Sequence, residues 1–479
     1  TCVEPEAGIK KVAAEGDILD DGTTLKSILL DGGVAINIDG QVAFGGKDGN
    51  DNKAAFTQAG KVVAEDDTLE DDTTLAAFRG QGEVAINAGP SGDMVAFHGQ
   101  AETGKNDTTA VFTQAGKIAA VGDALSADIT VDDIDPAGKV AINNFDQVAF
   151  HGRVEIEDGL YDDHFGVVFI SDGVETRVAA QEGSNLLDDT PLDDITESGG
   201  VAINDFDEVA FHGLTGDIKA VFTSEGLAAK VGDILDQTTT LQDINEHGGV
   251  AINLFSNVAF HGQTVVPDTD GDPVKAVFVS DGETTRMVAK VGDTLPDGKP
   301  LDDIVVSGGV AINIFGDVTF HGRTGDIKAV FTQNGVVAKV GDILDDASTL
   351  NDIWDTGGVA ITPYGPEVAF HGQTRTTEAV TDAVLVGQAP EAPPPNDAPV
   401  ADFTFTTDDL TANFTDESED SDGTVVAWSW NFGDSSTSTE QNPSHTYAEA
   451  GTYTVSLTVT DDRNAESEES TESVEVTAP

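Results

Sequence analysis

Cysteine is nearly missing from this chain of 479 residues: Cys2 stands alone, so no disulfide can form within it. Long apolar runs are missing as well. No stretch approaches 18 apolar residues, which leaves no candidate for a membrane-spanning helix. Positive charge is scarce, with 23 Lys+Arg against 87 Asp+Glu and a net charge of −64. That balance excludes nucleic acid as a partner, because binding phosphates requires a basic face. Catalytic words are absent too: there is no H-E-x-x-H, no G-x-S-x-G, no phosphate-binding glycine loop and no usable Cys–His pair. Paired carboxylates serve glycosidases, but among 87 acidic residues some pair always falls at a suitable distance. The chain therefore reads as a non-enzyme. Helical periodicity is nowhere sustained beyond a turn or two.

Hydrophobic residues make up 39% of the chain, enough for a real core. An acidic surface of this strength suits a salt-rich exterior. It is either a solvated coat or one partly neutralised by bound divalent cations. The opening TCVEPEAG looks like a mature N-terminus after processing. Cys2 is open to a lipid, to a bond between molecules or to remaining a free thiol, and Thr1 ahead of it argues against the lipid.

Repetition dominates. The word VAIN starts at Val34, Val84, Val140, Val201, Val250 and Val310, and a seventh copy, VAIT, starts at Val359. The spacings are 50, 56, 61, 49, 60 and 49 residues, as expected of constant elements joined by variable loops. Residues 201–233 show one unit, with strand-length runs VAIN, EVAFH, KAVFT and LAAKVGD separated by short glycine-bearing turns such as SEG at 224–226. The spacing predicts a four-stranded antiparallel meander repeated seven times. A short turn of helix is expected in TLQDINEHGG, 240–249, and in its counterparts.

The ends of the repeat region distinguish an open solenoid from a closed ring. GIKKVAAEGDIL, 8–19, matches the fourth strand of a unit but precedes the first VAIN. The last unit supplies three strands, ending in DAVLVGQ at 382–388, and lacks a fourth. A ring accounts for this division, because the surplus strand completes the last sheet and removes an exposed edge. Residues 1–388 are thus expected to form an all-β, seven-bladed β-propeller with strand-swapped closure. Two phenylalanine sets should fill the space between blades: Phe44, Phe97, Phe150, Phe211, Phe260, Phe320 and Phe370, and Phe56, Phe112, Phe169, Phe222, Phe278 and Phe331.

Six of the nine histidines end the VAFHG word: His98, His151, His212, His261, His321 and His371; Gly45 stands in the first copy. One per blade, they lie too far apart to share a zinc ion. Each is expected to bond a loop carboxylate, from the VGD or LxDI word, or a backbone group. Asn37, Asn87, Asn143, Asn204, Asn253 and Asn313, with Thr362, should ring one channel mouth, as turn caps or as a ligand or ion site.

INIDGQVAF, 36–44, resembles the N-x-x-G-x-x-A-F tandem repeat of secreted and surface-anchored microbial proteins through Asn37, Gly40, Ala43 and Phe44. Asp146 and Ser256 depart from its glycine, and the second copy carries an insertion, NAGPSGDMVAF. After a proline-rich linker, APEAPPPNDAP at 389–399, residues 400–479 resemble the polycystic-kidney-disease (PKD) domain. The family's W-D-F-G-D-G word appears as Trp430, Asn431, Phe432, Gly433, Asp434 and Ser435. That resemblance implies an immunoglobulin-like sandwich serving as an extracellular spacer or binding module, and the alternation in TYTVSLTVT agrees.

Carboxylate clusters are the remaining metal candidates. PDTDGDP spaces Asp268, Asp270 and Asp272 on alternate residues, as calcium ligands often are. EDSDG offers Asp420 and Asp422, and resemblance to calcium-binding PKD domains makes Asp434 a further candidate. Calcium is the one cofactor the sequence suggests. The expected function is that of an extracellular or cell-surface structural protein, self-associating as a subunit of a filament, sheath or surface layer. The alternative is a monomeric module that binds a surface glycan or protein.

Overall fold

A computed structural model of the chain describes residues 8–29, 33–79, 83–102, 107–136, 139–157, 162–196, 199–235, 239–265, 272–377, 379–392, 396–463 and 465–479. Cys2, Asp268 and Asp270 lie outside the described residues. Every regular element is a β-strand, with no α-helix among the described residues. The chain divides into two compact units, Thr1–Ala392 and Pro393–Pro479.

The first unit holds seven larger sheets, one per repeat, and a two-stranded pair, Ser184–Asn185 with Pro191–Leu192. The fifth sheet shows the plan. Val258–Thr264 is flanked on one side by Val274–Ser280 and then Thr285–Lys290. On the other side it takes two partners in line, Val250–Ile252 and Leu241–Ile244. The helical turn expected over 240–249 is therefore a strand. A bulge between Leu241 and Asp243 explains the misreading. It puts Leu241 and Ile244 on one face, both fully buried, so three-residue spacing imitates a helix. Each unit keeps the four expected strand positions, the first broken in two. In the sixth sheet the two pieces fuse as Asp303–Ile312.

The seventh sheet recruits Lys10–Ala14, which pairs antiparallel with Val380–Gln388, Lys10 opposite Val386 and Ala14 opposite Ala383. The surplus strand thus joins the sheet that lacks one. Each sheet is an open path of strands, and none closes on itself.

Hydrophobic cores lie between sheets. Phe260 and Phe278 of the fifth pack with Ala210, Val221 and Ala229 of the fourth. Phe44 and Phe56 of the first pack with Ala369 and Val384 of the seventh and Ala13 of the recruited strand. In six sheets the two phenylalanines stack across neighbouring strands, at centroid distances from 5.0 Å for Phe150–Phe169 to 5.9 Å for Phe320–Phe331. The seventh puts Phe370 opposite Leu385. Burying one such ring contributes about 1.5–3 kcal/mol, so the phenylalanine sets set the inter-sheet spacing. Val34, Val84, Val140, Val201, Val250, Val310 and Val359 line one cavity.

The second unit packs a three-stranded sheet, built on Phe403–Asp408 and Thr411–Asp416, against a four-stranded one built on Val425–Asn431, Gly451–Asp461 and Ser470–Val476. Its core centres on Phe403, Phe414, Trp430, Tyr447 and Leu457. Trp430 Nε1 donates to Glu440 O at 2.9 Å, and the Tyr447 hydroxyl donates to Phe432 O at 3.1 Å. Both large amphipathic side chains are thereby satisfied inside an apolar core.

Candidate binding site

The VAIN turn is built around its asparagine. Asn253 Oδ1 accepts from the N–H groups of Phe255 and Asn257, each at 3.0 Å, which closes the turn on itself. Asn143, Asn204 and Asn313 repeat the pattern. The other end of each amide reaches the next sheet. Asn37 Nδ2 donates to Asn87 O at 3.0 Å, Asn87 to Asn143 O at 2.7 Å, and Asn143 to Asn204 O at 3.1 Å. Asn204 donates to Asn253 O at 3.3 Å, Asn253 to Asn313 O at 3.0 Å, and Asn313 to Gly365 O at 3.4 Å. The asparagines are thus turn caps and also sheet-to-sheet links, with their amides occupied. Thr362, the seventh member, accepts from its own Glu367 N–H at 3.2 Å.

The residue three past five of the six asparagines has positive φ: Gly40 at 73°, Asp146 at 63°, Asp207 at 63°, Ser256 at 61° and Gly316 at 81°, whereas Pro90 stands there after Asn87. Glycine is the natural occupant. Where Asp146 replaces it, Oδ1 accepts from Asn87 Nδ2 at 2.8 Å, and Ser256 Oγ donates to the Glu208 carboxylate. These departures from the repeat word exchange backbone ease for links between sheets.

The same turn directs the second residue after asparagine outward. Phe145, Phe206, Phe255 and Phe315 are 63%, 73%, 66% and 70% exposed, and Tyr364 is 48% exposed. Five consecutive repeats thus present an aromatic ring to solvent at one turn position, where the first two repeats carry Asp39 and Gly89. Beside these turns lies a cavity of about 190 Å³, lined by isoleucines of the VAI strands such as Ile142 and Ile252 and by Asn144, Asp205, Leu254, Ile314 and Tyr364. Asn144 Nδ2 donates to Asp205 Oδ2 at 3.0 Å, and Asp205 Oδ1 accepts from Asn144 N–H at 2.9 Å. This aromatic arc went unread in the sequence. Its signal was N-x-[F/Y], present in four copies, with T-x-Y in the last.

In a second cavity, lined by the VAI valines, the residue before each valine is glycine in five repeats, but Glu83 and Lys139 in the second and third. A methyl group placed on Gly249 or Gly309 would lie 4.0 or 3.9 Å from Lys139 Nζ, so this ammonium spans the opening from the third sheet to the fifth and sixth. Burial pushes the Glu83 carboxyl up to about 7; Lys139 opposes that shift and Asp135 adds to it.

The repeated histidines are buried and bear on structure. A Cβ on Gly199, Gly248 or Gly357 would fall within 2.7–2.8 Å of Nδ1 of His212, His261 or His371. Each ring occupies space that only glycine leaves free. His261 Nδ1 lies 3.1 Å from Gly248 O, and His321 Nε2 lies 3.1 Å from Gly358 O. For these two the partner is the Gly-Gly backbone, the second of the two kinds of partner expected from the sequence, and not a VGD or LxDI aspartate. Burial drives the pKa values of His98, His212 and His261 down to about 4, so the rings are neutral.

The acidic candidates fall differently. Asp272 is exposed. Asp420 Oδ1 accepts from Asp422 N–H at 3.2 Å, and Asp422 Oδ2 pairs with Arg463 at 2.8 Å. Asp434 bonds His445 Nε2 at 2.8 Å. It follows the C-terminal end of strand Val425–Asn431, whereas Asp422 precedes its N-terminal end, so the strand separates the two. Among the described residues no group of three or more His, Cys, Asp or Glu side chains converges to hold a metal ion. Nor is any helix long and apolar enough to cross a membrane.

Residues 396–477 match the PKD domain family. Collagenase ColA of Bacillus cereus is 55% identical over 56 residues, 12% of this chain and 6% of that protein. Pre-pro-metalloprotease PrtV of Vibrio cholerae is 47% identical over 68 residues, 14% and 7% of the two chains. The chain therefore spans only a small fraction of the length of these relatives. Among solved structures, the PKD1 domain of Vibrio anguillarum Epp is 45% identical, covering 18% of this chain and all of that one with a TM-score of 0.17. Trypanosoma rangeli sialidase is 10% identical, covering 98% and 89% with a TM-score of 0.29.

Proposed function

We propose that the repeat unit is a seven-bladed β-propeller, closed by strand Lys10–Ala14, that works outside the cell as a non-catalytic binding module. Its ligand face is the channel mouth ringed by Phe145, Phe206, Phe255, Phe315 and Tyr364, and the PKD domain is its companion module. The single observation that carries this reading is the exposure of five aromatic rings at one turn position, in a unit whose strand phenylalanines are buried between sheets. Apolar side chains scattered singly over a surface carry no such meaning, whereas exposed rings repeated at one position of five consecutive repeats are a pattern of the kind that marks interaction sites. The PKD match and the acidic surface support an extracellular setting.

The test is the variant Phe206→Ser/Phe255→Ser/Phe315→Ser, screened beside the wild type on glycan and peptide arrays. The variant should keep its melting temperature, because exposed side chains add little stability, and should lose the wild type's ligands. Identical binding by both proteins would end the reading. A second reading, a subunit of a filament, sheath or surface layer, draws on the same exposed arc. Light scattering separates the two: an oligomer that dissociates on the triple substitution favours assembly, and a wild-type monomer at all ionic strengths excludes it. Removing residues 389–479 tests whether the PKD domain is the connector.

A further inference from the structure

Resting on that reading, we propose that the aromatic mouth binds a cationic polypeptide segment carrying an apolar anchor side chain. The mouth is uneven around its circumference. On the third and fourth sheets the aromatic rings stand among carboxylates: Asp146 follows Phe145, and Asp205 and Asp207 flank Phe206. From the fifth sheet onward the neighbours turn apolar, with Leu254 beside Phe255, Ile314 beside Phe315, and Pro363 beside Tyr364. The cavity lined by isoleucines of the VAI strands reaches both groups, through Asp205 of the first and Leu254, Ile314 and Tyr364 of the second. One arc thus offers carboxylates and aromatic faces to a cation, and the cavity offers an apolar pit.

Charge selects among occupants. At −64 the chain repels anionic surfaces and a second copy of itself. The C-terminal domain of such a copy offers only one Lys or Arg, Arg463, which is paired with Asp422. A neutral sugar gains nothing from this charge, whereas a cation is drawn by it even though Asp205 is held by Asn144 and Asp207 by Asn143 and Arg177. A Lys- or Arg-bearing segment answers both arcs. Its cations meet the carboxylates and ring faces, and its apolar side chain enters the pit.

The experiment measures fluorescence-anisotropy binding of three labelled peptides, Arg-Arg-Gly-Leu-Trp-Leu, Glu-Glu-Gly-Leu-Trp-Leu and Arg-Arg-Gly-Gly-Gly-Gly, at low and high salt. Wild-type protein should bind the first at least tenfold more tightly than either of the others. Phe255→Ser/Phe315→Ser should lose that advantage while retaining full charge. Asp146→Asn/Asp207→Asn, at positions where asparagine tolerates positive φ, should weaken binding and flatten its salt dependence. If the two serines leave the first peptide's affinity unchanged, attraction is to bulk charge and the proposal fails. If the acidic peptide binds equally, charge plays no part and it fails again. If a glycan is bound and lost on the same serine substitutions, the mouth remains the ligand face and the polypeptide assignment falls. If no ligand of either class depends on Phe255 and Phe315, the mouth itself is wrongly assigned.

Discussion

Asn253 serves two sheets with one buried side chain, accepting twice within its own turn and donating once to Asn313 O. Asn253→Ala strands all three partners, and leaving buried polar groups unpaired costs more than an average hydrogen bond is worth. A loss of about 2–4 kcal/mol is expected, read as a lower urea midpoint. The histidines set a pH dependence. His98, His212 and His261 protonate near 6.5 when unfolded but only near about 4 when folded. Between those values the unfolded chain binds more protons, so stability falls as pH drops from about 6.5 to about 4. Glu83, raised to about 7, acts in the opposite sense, since its folded form holds the proton longer and stability falls as pH rises from about 4.5 to 7. Three groups outweigh one, so the melting temperature should be lower at pH 4.5 than at pH 7. His261→Gln should shrink that difference, and an unchanged slope would show that the ring carries no such linkage.

At the scale of the strand, Lys10–Ala14 is the test of closure. Ala13 is fully buried against Leu25 and Phe44, and Leu19 joins the same cluster. Deleting residues 1–19 uncovers the edge of Val380–Gln388 together with Ala369 and Val384. Aggregation or a fall in melting temperature of roughly 10 °C or more is expected, by the conversion of a few kcal/mol into degrees. A truncated monomer with wild-type stability would refute closure by this strand. Pairing of residues 8–19 with 382–388 was legible because the repeat word itself showed which strand each end had to spare. The strand at 241–244 was not, because a bulge gave its buried side chains helical spacing. The asparagine links were hidden for a different reason. They join residues about 50–60 positions apart, and local spacing says nothing about which backbone a side chain will meet. The aromatic arc was written in the sequence, two residues beyond the asparagine that ends the VAIN word.

Across the whole molecule the governing quantity is −64. Like charges repel over roughly 8–10 Å at physiological ionic strength, so added sodium chloride should raise the melting temperature between about 20 mM and 0.5 M. No salt dependence would mean that the acidic coat is already neutralised by bound cations. The closing strand has a mechanical consequence. Lys10 lies beside Val386 and Ala14 beside Ala383, so the chain segments leaving residues 9 and 389 depart from the same end of the ladder. Tension between them would peel the pairs one rung at a time, each rung bearing the load alone. Gln388 pairs with Glu367, and Ala389 N–H donates to Pro366 O, so residue 389 also leaves this sheet at the end that carries the Tyr364 turn. A pull between residue 389 and a partner held at that turn therefore peels the nine pairs of Val380–Gln388 with Glu367–Arg375 in sequence as well. In an optical trap both geometries should give way at low force and reclose on relaxation, and a high-force rupture in either would show that the load runs through other strands. The last sheet thus works as a latch that opens under load at its C-terminal edge and shuts when the load is released.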